Sequence, residues 1–157
     1  MTVHVPFAGP SWPIHAVKLA LKQDGVAASF EHMTSDDSYF QMMERLWAKG
    51  EAFTIVEHDV VVHPGAIQEL ANCAQPWCTF PYYCSVGWII DGLGCTKFSA
   101  DLIAKYPECL KEPFPDCCAH TRFYCGLDRL IAHRMEQLGV KPHVHMPGVV
   151  NLNERWT

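Results

Sequence analysis

The chain has 157 residues, 49% of them apolar and 18% charged, with a formal net charge of −5. That length and apolar content suit one packed domain and exclude wholesale disorder. The acidic balance and the lack of a basic arm disfavour passive binding along a phosphate backbone, though not a visit to nucleic acid through a local patch. No apolar run reaches the length of a membrane span. The N-terminus has neither the basic start nor the long apolar core of a signal peptide, so a cytoplasmic location without a membrane partner is expected.

Thr2 to Phe7 alternates as a first strand, and Ala8-Gly9-Pro10-Ser11 reads as a turn. Pro13 suits a first helical turn, and Ile14, Val17 and Leu21 recur at helical spacing up to Asp24-Gly25. Val26 to Met33 is a second strand. Ser35-Asp36-Asp37 resembles an N-cap cluster for a helix over Tyr39 to Lys49, which Gly50 ends. The apolar strand from Phe53 runs into Glu57-His58-Asp59, and Pro64-Gly65 opens another helix. Strand–helix alternation of this kind predicts an α/β domain with a mainly parallel sheet flanked by helices. In such sheets ligands bind at the carboxyl ends of the strands.

The second half changes character. Trp77 to Ile90 is aromatic and Cys-rich and reads as short strands or a hairpin; Asp91-Gly92-Leu93-Gly94-Cys95 is a Gly-marked loop. A helix is expected from Phe98 to Tyr106, a Pro-containing loop over Lys111 to Cys118, and a helix from Leu127 to Leu138 capped by Gly139. Val140 to Val150 is a last extended segment holding His143 and His145. The eight cysteines have irregular gaps, with Cys117 and Cys118 adjacent. They read as reduced small hydrophobes, with zinc ligation or disulfides as the alternatives.

Two carboxylates at a strand end, Glu57 and Asp59, suit a hard divalent cation such as Mn²⁺ or Mg²⁺ that also contacts phosphate oxygens. Acids end many strands, so the pair alone is a weak signal and a solvated turn is the plainer reading. Asp128 at a helix start is either a general base or an acid favoured by the helix dipole. Asp91, before the Gly-rich loop, is the second candidate base, with simple turn chemistry as its alternative. Of Trp77, Tyr82, Tyr83 and Trp88, at least two are expected in the core and the others free to stack on an acceptor.

Taken in order, Val3–Phe7, the strand ending Glu57-His58-Asp59, Pro64-Gly65, Gly92-Leu93-Gly94-Cys95-Thr96-Lys97-Phe98-Ser99, Asp128 and His143-Val144-His145 resemble the GT-A fold of glycosyltransferase family 2-like enzymes. The chain is short for that family, and the first acid is Glu rather than Asp. The resemblance implies a minimal glycosyltransferase across residues 1–157, with a nucleotide-binding half over about 1–75 and an acceptor half over about 76–157. It implies a nucleotide-sugar donor and transfer to an acceptor hydroxyl. The acceptor stays open, a macromolecule such as modified DNA or protein being one candidate. Glu57 and Asp59 match the D-x-D metal positions, and His145 matches the family's late ligand. Asp128 matches the inverting base. Pro6, Phe7 and Ala8 would line base and ribose, with Glu31 or Asp36 accepting hydrogen bonds. His58 sits among the nucleotide-sugar contacts rather than the metal ligands, and Gly92 and Gly94 would let backbone approach the donor sugar. The alternatives are a non-catalytic nucleotide- or metal-binding module on the same fold, and a zinc protein built on the cysteines and His120.

Overall fold

The computed structural model describes residues 1–9, 13–111 and 126–152. The loop expected at Lys111 to Cys118 falls almost entirely beyond them, and so do His120 and Cys125.

The first half alternates as its periodicity predicts. Strand β1 (Thr2–Phe7), helix α1 (Pro13–Gln23), β2 (Ala28–His32), α2 (Ser38–Ala48) and β3 (Phe53–Val56) follow one another, with β2 and β3 parallel to β1 on either side. Helix α1 buries Ile14, Val17 and Leu21, spaced three and four apart on one stripe. Helix α2 buries Tyr39, Phe40, Met42, Met43, Leu46 and Trp47. Its start differs from the expected acidic cap. Asp37 makes no side-chain cap, and Ser38 Oγ instead accepts the N–H of Ser35 at 3.0 Å.

Strand β3 ends at Val56, before the acids, and Glu57 to Val60 form a turn closed by the Val60 N–H on the Glu57 carbonyl at 3.0 Å. The two-residue strand β4 (Val60–Val61) follows, then the short helix α3 (Ala66–Asn72). The second half supplies β5 (Trp77–Thr79), the hairpin β6 (Tyr82–Cys84) and β7 (Gly87–Ile89), β8 (Cys95–Phe98), α4 (Ala100–Lys105), α5 (Leu127–Gln137), β9 (His143–Val144) and β10 (Val150–Asn151). The main sheet runs β2-β1-β3-β8-β5-β9. Strand β8 enters between β3 and β5 and is antiparallel to both, while β9 is parallel to β5. The result is a mixed α/β domain whose central sheet is mainly parallel.

Strand alternation divides the core into two layers. Phe53, Ile55, Trp77 and Phe98 point to the face covered by α2, α4 and α5. Val3, Val5, Val56, Cys78 and Cys95 point to the face covered by α1 and α3. Each fully buried side chain of this size contributes about 1.5–3 kcal/mol. Trp77 and Tyr82 are buried, whereas Tyr83 and Trp88 stand out on the hairpin at 52% and 60% exposure. No helix among the described residues is long and apolar enough to cross a membrane.

Candidate functional site

The β3 backbone is held to its end by a bond from the Glu57 N–H to the Gly94 carbonyl at 2.9 Å. Glu57 follows Ile55 on the face carrying α2 and α5. From α2 the Tyr39 hydroxyl donates to Glu57 Oε1 at 3.2 Å. From the first turn of α5, Asp128 faces the same space. It accepts the Tyr82 hydroxyl on Oδ2 at 2.9 Å and the backbone N–H of Leu93. Asp91 completes the group from the loop after β7. A cleft of about 830 Å³ opens here, lined among the described residues by Glu57, Asp91, Asp128 and Tyr82 with apolar Ile89 and Ile90.

These acids lie close enough to disturb one another's charge. Burial pushes the Glu57 carboxyl well above its usual range, and the neighbouring Asp128 and Asp59 push it further; the Tyr39 hydrogen bond opposes them. Burial also raises Asp128, against the bonds from Tyr82 and Leu93, and Asp91 and Asp59 add to the rise. The Tyr82 hydroxyl is raised by burial and by Asp128, so it remains a donor. Such a cluster of mutually repelling carboxylates is favourable ground for a cation.

Glycine explains how the group packs so tightly. A Cβ on Gly92 would meet the Tyr82 hydroxyl, Ile89 Cγ2 at 2.7 Å and Asp128 Oδ2 at 3.0 Å. A Cβ on Gly94 would stand 2.5 Å from Tyr82 Cε1. The space over both residues is therefore taken by Tyr82. In this structure the bare backbone admits a tyrosine that orients Asp128, where the sequence pointed to a donor sugar.

The other expected contacts lie apart from the cleft. Pro6 is buried, Phe7 stacks on His32 with ring centroids 5.1 Å apart, and Ala8 is exposed at the end of β1. The Glu31 carboxylate is engaged by His4 Nδ1 at 2.9 Å and by the Arg45 guanidinium. Asp36 is exposed. His58 and Asp59 are both buried in the turn, and the Leu152 N–H closes on the Asp59 carbonyl at 2.7 Å, bringing the chain's last described residues against it. Because the strand has already ended, strict alternation does not govern which way His58 points.

His145 goes elsewhere. Strand β9 is three strands from β3, about 14 Å across the sheet at about 4.8 Å per step. Its imidazole lies on the opposite face, with Nδ1 on Glu69 Oε1 of α3 at 2.6 Å and its ring 5.1 Å from that of Phe80. Among the described residues, the three ligand side chains that converge to within 4.8 Å are Cys73, Cys78 and His145; Glu57 and Asp59 do not form such a group with His145. Tyr39 and Tyr82 are the hydroxyl partners of Glu57 and Asp128, a pairing that the linear pattern did not assign. Only the strand order brings them to the acids.

No family model matches the chain, and no curated protein matches it in sequence. Solved structures do share its shape. The protein A197 from STIV superposes with a TM-score of 0.58 at 10% identity, over 95% of this chain and 83% of that one. A glycosyltransferase involved in the glycosylation of the major capsid of PBCV-1 gives 0.56 at 11% identity, over 99% and 95%. A putative glucose-1-phosphate thymidylyltransferase from Bacillus anthracis, in complex with a sucrose, gives 0.54 at 9% identity, over 96% and 89%. At these identities the likeness is one of fold, and the fold of this chain is GT-A-like.

Proposed function

We propose that the chain is a small glycosyltransferase that moves a sugar from a nucleoside diphosphate to an acceptor hydroxyl. The observation that carries the reading is the convergence of Glu57, Asp91 and Asp128 on a cleft at the carboxyl end of β3 in a GT-A-like fold, with the buried Asp59 close enough to raise both Glu57 and Asp128. Glu57 and Asp59 are hard oxygen donors whose mutual repulsion a divalent cation would relieve, so the residues suit Mn²⁺ or Mg²⁺. Such an ion would neutralise the diphosphate and make it a better leaving group.

Asp128 takes the proton of the acceptor hydroxyl as its oxygen bonds to the anomeric carbon and the diphosphate departs with the electron pair of the broken bond. The Tyr82 hydroxyl holds the Asp128 carboxylate in place, and Tyr39 does the same for Glu57. Ile89 and Ile90 give the cleft an apolar wall, while the exposed rings of Tyr83 and Trp88 pack on each other on the opposite side of the hairpin and do not line it.

The test is release of nucleoside diphosphate from a panel of nucleotide sugars, with water standing in as acceptor. The wild type should turn over one donor class in Mn²⁺. Asp128→Asn should lose about 10²–10⁴-fold in rate while still binding that donor. Donor binding by the wild type with no turnover in the presence of acceptors would replace the enzyme with a non-catalytic binding module.

A further inference from the structure

We propose that Cys73, Cys78 and His145 form a zinc site, separate from the carboxylate cleft and on the other face of the sheet. The three ligand atoms lie within 4.8 Å of one another, with the Cys78 thiol donating to Cys73 Sγ. Two sulfurs and an imidazole are soft to borderline donors, which select Zn²⁺ over Mg²⁺ or Mn²⁺. Cys73-Ala-Gln-Pro-Trp-Cys78 is a C-x₄-C pair, within the spacing that zinc loops use.

The imidazole supplies the second observation. Its side chain is only 9% exposed, Nδ1 is held by Glu69, and Nε2 is buried with no hydrogen-bond partner. A carboxylate on one ring nitrogen fixes the tautomer and turns the lone pair of the other outward, which is how metal-bound histidines are held. The same carboxylate lies one helical turn before Cys73, at the end of α3. A buried polar atom without a partner costs free energy, and an ion between Nε2 and the two sulfurs would satisfy it.

Charge balances as well. Lys97 is 4% exposed, and its ammonium donates to the Cys73 carbonyl beside the two sulfurs. Two thiolates and Glu69 carry three negative charges, matched by Zn²⁺ and Lys97. Cys73 is half-buried, so an ion has a way in. Among the described residues three side chains reach the ion, which leaves the fourth position open to solvent or a further donor. The site joins α3, β5 and β9, and it adds a tie to a short edge strand that pairs with β5 through His143 and Val144 and through the His145 N–H on the Thr79 carbonyl at 2.8 Å. Binding displaces about two thiol protons per ion.

The experiment uses the full chain, reduced, stripped with a chelator and titrated with Co²⁺ as a spectroscopic stand-in for Zn²⁺. The expected result is a sulfur-to-cobalt charge-transfer band that saturates at one equivalent, is bleached by Zn²⁺, disappears in Cys78→Ser and persists in Cys84→Ser. Glu69→Gln should weaken the ion about 10- to 100-fold, which keeps the test decisive if Cys78→Ser does not fold. The absence of a sulfur–cobalt band, or a band that survives Cys78→Ser in folded protein, would overturn the proposal. So would mass analysis finding Cys73 and Cys78 joined as a disulfide in protein isolated without reductant. Asp59→Asn should leave the band unchanged, so failure of the transferase reading and failure of this one are told apart.

Discussion

Glu57 and Asp128 hold protons more tightly in the folded chain than free carboxyls do, because burial and neighbouring acids oppose their ionisation. The sign of the pH effect follows. A raised folded pKa stabilises the native state fully below the ordinary carboxylate range, near pH 4. That stability is lost as pH rises through the raised values, since the native state then binds more protons than the unfolded one. The melting temperature of metal-free protein should therefore fall as pH climbs above this range, and Glu57→Gln should flatten the slope. A melting temperature that rose over the same interval in the wild type would show that the acids are not mutually strained. Glu57, Asp59 and Asp128 are legible as acids at strand and helix ends, and the structure brings Glu57 and Asp128 to one cleft. Tyr39 and Tyr82 are not legible in this way, since an aromatic residue in an apolar run is indistinguishable from core until its hydroxyl has a partner.

Among the elements, the loop after β7 is the one that ties the site together. Gly92 and Gly94 let it lie on Tyr82 of β6, and its Leu93 N–H reaches Asp128. Gly92→Ala must push apart Tyr82, Ile89 and Asp128. It should cost about 1–3 kcal/mol, the usual penalty for overpacking, read from the urea midpoint at constant m-value. Loss of the Tyr82 bond should also move the Asp128-dependent limb of donor turnover to higher pH, because that bond favours the carboxylate. A stability loss without any movement of the limb would reduce Tyr82 to packing. The strands and helices of the first half were readable from period alone. Strand β3 was read too long: Glu57-His58-Asp59 continues its sequence pattern, but the Val60 N–H on the Glu57 carbonyl turns the chain. The antiparallel insertion of β8 was not readable, because four residues of Cys-Thr-Lys-Phe carry no sign of their partners' direction.

At the scale of the whole molecule, the sheet order decides which residues can act together. Placing β8 and β5 between β3 and β9 sends His145 to the far edge, and alternation sends it to the other face. A linear motif cannot convey that, since facing depends on pairings between segments distant in sequence. The same order gathers Asp128 of α5 and Glu57 just past β3, 71 positions apart, around one cleft. Cys73 and Cys78 likewise meet His145 only once β9 pairs with β5. The account stands on the carboxylate cleft being a metal–diphosphate site. The most direct measurement is the melting temperature with a panel of nucleoside diphosphates and nucleotide sugars, with and without Mn²⁺, for the wild type and Asp59→Asn. A ligand that binds only the folded state stabilises it by mass action, by about 2.7 kcal/mol at a hundred times its dissociation constant. The account predicts a Mn²⁺-dependent rise with one nucleotide family that is lost in Asp59→Asn. No rise with any of them, or a rise indifferent to both Mn²⁺ and Asp59, would contradict it.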